Sequence, residues 1–70
     1  MASAPIAVHP PSPTGGRRVT ARNQILGLAH SDRDVVEFLR RAGLPDAEQL
    51  LDDPAWVTWR GGHAHHYEAA

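Results

Sequence analysis

The chain contains no cysteine and no lysine. Without thiols there is no disulfide, iron–sulfur cluster, thiolate zinc site or cysteine nucleophile, and nothing covalent staples the fold. No apolar run approaches the roughly 20 residues needed to cross a bilayer. The N-terminus also lacks the basic start and continuous apolar stretch of a signal peptide. These absences lead us to expect a cytoplasmic protein with no membrane partner. Neither sign of charge dominates, with seven basic and eight acidic side chains. A net charge of −1 offers no electrostatic case for nucleic acid. All seven basic residues are arginine, and with abundant Ala, Gly, Pro, Asp and Val this reads as the codon usage of a high-GC bacterium. Seventy residues allow one domain, which at this size buries roughly 60% of its unfolded surface.

Four of the six prolines fall in residues 1–16, which carry no charged side chain. Such composition predicts a disordered Pro/Ala-rich tail, with the folded domain over residues 17–70. Within that domain, Val19–Ala29 reads as two short strands turning near Asn23-Gln24. The second strand is apolar on both faces, as a central strand would be. Gly27 inside it suggests a bulge or the close approach of another group.

The clearest punctuation follows. Ser31 is placed to cap a helix, with Asp34 three residues on and Asp32 and Asp34 at the positive end of its dipole. Val35, Phe38, Leu39 and Ala42 form one apolar stripe. Gly43, Leu44 and Pro45 then supply a left-handed stop. Residues 45–53 read as a second, shorter helix ended by Asp53-Pro54.

The aromatic and histidine content is concentrated at the C-terminus. Trp56, Trp59 and Tyr67, with His63, His65 and His66, surround Gly61-Gly62. Taking the glycines as a two-residue turn predicts a β-hairpin in which Arg60 opposes His63 and Trp56 opposes Tyr67. Val57, Trp59, Ala64 and His66 then share one face; Trp56, Thr58, Arg60, His63, His65 and Tyr67 share the wetter one. The expected fold is therefore α+β: β-hairpin, helix, short helix, β-hairpin, behind the N-terminal tail.

Function is less legible. His63 and His65 are the only weak candidates for a metal, but Arg60 opposes His63 and two ligands fall short of the three or four zinc requires. No cofactor is expected. Helix, short helix and hairpin echo a winged helix, yet the second helix carries Asp46, Glu48, Asp52 and Asp53 and no arginine, so phosphate would repel it. Gly61-Gly62 resembles the double glycine preceding a leader cut in peptide natural products, although a turn explains it better. Ala69-Ala70 is similar in two residues to alanine-ended degradation tags. No nucleophile stands beside a base and no phosphate loop is present, so independent catalysis is not expected. The first reading is a protein-interaction module, a regulator, adaptor or accessory subunit; a winged-helix-like nucleic-acid-binding regulator is the alternative, and a precursor or scaffold peptide for a modifying enzyme comes third. The interaction module would bind another protein, or a second copy of itself, through Trp56, Tyr67, Arg60, His63 and His65.

Overall fold

A computed structural model describes residues 4–22, 24–61 and 63–68. The domain is α+β. Three strands come first, β1 (Ile6–Pro11), β2 (Arg17–Ala21) and β3 (Gln24–Ala29). Two helices, α1 (Asp32–Arg41) and α2 (Ala47–Leu50), lead to a last strand, β4 (Val57–Trp59). The sheet order is β3-β2-β1-β4, with β1–β2 and β2–β3 antiparallel and β1–β4 parallel. After the helices, the chain thus returns to the far side of β1.

Strand β1 corrects the expected tail. Ile6 and Val8 are buried, and Val8 pairs with Val19 on one side and Trp59 on the other. Composition misleads here because the prolines sit at the strand's end. Pro10 and Pro11 have no N–H to donate, and the β1–β2 register shifts between Val8 and Pro11, where the ladder breaks.

The β2–β3 hairpin stands where it was expected, although Asn23 of its turn lies outside the described residues. β3 is an edge strand rather than a central one, with Ile25 66% and Leu28 48% exposed. Gly27 marks both a register shift and a close approach. A Cβ there would stand 2.6 Å from the Phe38 ring, so glycine lets α1 lie against the strand.

Helix α1 follows its punctuation. The Ser31 hydroxyl accepts from the Asp34 amide, and Val35 and Leu39 are buried. At the other end, Leu44 N donates to Leu39 O (3.1 Å) and Gly43 N to Arg40 O (2.9 Å), with Gly43 at φ +87°. This paired bonding is a Schellman stop. α2 is a single turn, shorter than expected, entered through Asp46 at φ +54°. Both helices contribute to one core: Val35, Leu39, Ala47 and Leu51 pack with Ile6, Val8, Val19, Ala29, Val57 and Tyr67. Among the described residues, the opposite face of the sheet carries no helix.

Candidate functional site

Among the described residues, 63–68 form no second hairpin strand. Residues 63–66 have no strand partner, and β4 takes β1 as its parallel neighbour instead. Gly62, half of the expected turn, lies outside the described residues, as does the Ala69-Ala70 end. The faces assigned to β4 do hold: Val57 is buried, Trp59 half-buried, and Thr58 and Arg60 exposed.

Arg17 explains the curl. This side chain, at the start of β2, is wholly buried (0% exposed) and has no carboxylate partner among the described residues. Its Nε donates to His9 O (2.8 Å), and Nη1 to His63 O (2.8 Å) and His66 O (3.0 Å). Nη2 donates to Gly61 O (2.7 Å) and Arg60 O (2.9 Å), with a longer contact to Val8 O (3.4 Å). The planar fork of five N–H groups thus gathers carbonyls where Pro10 and Pro11 and the final segment leave sheet pairing; Val8 O, the longest contact, also accepts the Arg60 amide. Trp59 packs on the same cation, 5.3 Å from ring centroid to guanidinium carbon. Burial pulls the guanidinium pKa below its ordinary value, with Tyr67 opposing. It remains a cation. Nothing in the composition marks Arg17 apart from the other arginines, because its role depends on contacts more than 40 positions away.

A second set of bonds fastens the same segment to the helices. His65 donates from Nδ1 to Asp32 Oδ2 and from Nε2 to Asp52 Oδ1, each at 2.7 Å. Tyr67 donates its hydroxyl to Asp32 Oδ1 at 2.5 Å and is only 8% exposed. Trp59 completes the cluster: its indole N–H donates to Leu51 O (2.9 Å), and its ring lies 4.9 Å from His65 and 6.2 Å, edge-on, from Tyr67. His65 therefore bridges the start of α1 and the end of α2, at a left-handed φ of +68°. That backbone angle is itself incompatible with the strand expected there.

With a carboxylate on each ring nitrogen, the charged imidazolium is favoured. The His65 pKa is raised, first by the Asp52 hydrogen bond and then by Asp32, against the opposing pull of desolvation. Because the folded pKa exceeds the unfolded value of about 6.5, the stabilisation is complete below that pH and fades as pH rises through the folded pKa. Denaturant midpoints followed from pH 6 to 9 should therefore fall for the native chain and flatten for His65→Gln. Burial and the Asp32 bond also push the Tyr67 hydroxyl well above the ordinary tyrosine range, so it stays a donor throughout that window.

This geometry rearranges the expected binding residues. Trp56 and Tyr67 do not pair; Tyr67 stacks edge-on with Trp59, inside the core. His63 and His65 do not act together either, since the His63 ring neighbours His66 at 5.6 Å while His65 faces two aspartates. Among the described residues, no group of three or more His, Cys, Asp or Glu side chains is placed to hold a metal ion. A recognition helix also needs more than the four residues of α2, and a wing needs the strand that residues 63–66 do not form.

Trp56 instead lines a groove of about 530 Å3 at the end of the sheet beside the C-terminal turn of α1. Ile25, Leu26, Phe38 and Leu44 supply further apolar wall, and Arg22 and Arg41 border it. Trp56 is 39% exposed, and with Ile25 and Leu28 makes up the large apolar side chains left open to solvent among the described residues. Sequence pattern pointed to Trp56 but not to Ile25, whose exposure follows from β3 being an edge.

No helix among the described residues is long and apolar enough to cross a membrane. No family model matches this sequence, and neither the curated proteins nor the solved structures include a significant match to it. Function has to be read from the geometry.

Proposed function

We propose that the protein is a small binding module for another protein, serving as a regulator, adaptor or accessory subunit. The working surface is the groove at Trp56. One observation carries the reading: two large apolar side chains, Trp56 and Ile25, stand exposed along a groove of about 530 Å3. An exposed tryptophan beside a concave apolar wall is the kind of surface that anchors a partner side chain. Arg22 has no carboxylate partner among the described residues, and Arg41 has only an exposed one, Glu37 at 3.5 Å. The partner segment this favours has an apolar anchor next to an Asp or Glu. Catalysis is not part of the reading, since His65 has both ring nitrogens committed and Ser31 caps a helix. The arginine-only basic complement and the lack of cysteine support a cytoplasmic protein from a high-GC bacterium.

Displayed peptide libraries selected on the native protein and counter-selected on Ile25→Ser/Trp56→Ala test this directly. Both positions are exposed, so the double variant should keep its circular dichroism. Selected peptides should carry an apolar anchor beside an acid and lose at least tenfold in affinity for the variant. Peptides that bind the variant equally well, or no enrichment at all, would overturn the groove as the working surface.

A further inference from the structure

The helix-free face of the sheet holds a second cleft, of different chemistry. Register places Thr58, Ala7 and Thr20 side by side across β4, β1 and β2. The small side chain of Ala7 between two threonines leaves a depression with a hydroxyl on each flank. The cleft over this row is about 390 Å3, lined also by His9, Arg22 and Arg60. Arg60 follows β4 directly, its amide bonded to Val8 O; Arg22 follows β2, its amide bonded to Pro5 O. The two arginines thus sit toward opposite ends of the threonine row. His9 Nε2 shares a hydrogen bond with Thr20 Oγ1 at 2.9 Å, which orients both side chains.

The charge distribution is one-sided. All eight Asp and Glu residues lie between positions 32 and 68, and none lines this cleft. Neither Arg22 nor Arg60 has a carboxylate partner among the described residues. Arg22 is also held at φ +59°, a left-handed angle uncommon outside glycine, asparagine and aspartate. Two unpaired guanidiniums, two hydroxyls and an imidazole around a small concave floor form a donor set for oxyanions. A cation is opposed by both arginines. Single-stranded nucleic acid is disfavoured because no Phe, Tyr or Trp lines the cleft to stack successive bases, and the one ring present, His9, is bonded to Thr20. The volume falls within the roughly 300–1,000 Å3 of small-ligand sites.

We infer that this face binds a small phosphorylated ligand, seated over Ala7 with its phosphate oxygens held by Arg22, Arg60 and the flanking threonine hydroxyls. The site adjoins the peptide groove: Pro5 and Arg22 border both, so Ala7 and Arg60 carry the distinction.

Pyrophosphate, titrated into the full chain and followed by calorimetry and amide chemical shifts, is the test. Saturable binding should perturb Ala7, His9, Thr20 and Thr58 while leaving Phe38 and Leu44 unmoved. Arg22→Asn/Arg60→Gln, with asparagine chosen for the left-handed position, should weaken binding at least tenfold. Ala7→Leu fills the depression without altering charge and should weaken it comparably. Native-like pyrophosphate binding by Ala7→Leu would overturn the site, as would shifts spread evenly over the arginines or no binding at millimolar concentration. A single-stranded oligonucleotide that binds more tightly than pyrophosphate, with shifts running on to Arg18 and Leu28, would overturn the small-ligand assignment.

Discussion

Arg17→Met should cost at least about 3 kcal/mol of folding stability, because each buried acceptor left unpaired costs about 1–3 kcal/mol and several lose their donor together. Methionine fills much of the same space but donates nothing to the carbonyls of His9, Arg60, Gly61, His63 and His66. A 70-residue domain has roughly 4–10 kcal/mol in all, so this single change should leave a marginal or unfolded protein. Arg17→Lys separates charge from geometry. Lysine keeps the cation but offers three N–H groups from one point, so it cannot reach acceptors spread around a planar fork. It should recover only part of the loss. Urea denaturation of the three proteins checks the expectation, and a midpoint for Arg17→Met close to the native one would contradict the role given to this residue.

Removing residues 1–11 should abolish the cooperative fold. β1 lies between β2 and β4, and without it β4 has no neighbour in the sheet. The truncation also deletes Ile6 and Val8 from the core and takes away the His9 carbonyl that Arg17 holds. Val8→Asp makes the same point in the full chain, because an unpaired carboxylate would enter a position 0% exposed. Far-ultraviolet circular dichroism and thermal melts should show no native transition for either protein. If the truncated chain melts like the intact one, residues 1–11 are the tail that their composition suggests.

The two predictions share a cause, and it marks the limit of what was legible in the chain. Helix α1 was readable from its cap to its Schellman stop because all its signals are local: Ser31, Asp34, the Val35–Phe38–Leu39 stripe, then Gly43 and Leu44. The β2–β3 hairpin and the inward Val57 and Trp59 of β4 were readable for the same reason. β1 was hidden because three suitable residues, Ile6-Ala-Val8, are surrounded by prolines. What makes them a strand is pairing with β2 and with β4, about 50 positions away. The C-terminal hairpin was misread because a glycine pair between alternating residues is a good local signal, whereas the buried Arg17 that draws the segment inward is a distant one. The structure instead places Tyr67 in the core, and Trp56 lines a groove with Ile25. His65, considered for metal, serves to tie Asp32 to Asp52.

The C-terminal histidines and Tyr67 accordingly belong to a clasp that holds the helices to the sheet, while the groove at Trp56 and Ile25 is where a partner would dock. Amide and indole chemical-shift mapping with a selected peptide separates these two regions in one experiment. The account predicts perturbations at Ile25, Leu26, Phe38, Leu44 and the Trp56 indole, with His63, His65, His66 and Tyr67 unmoved. Perturbations centred on residues 63–67, with the Trp56 indole unchanged, would contradict it.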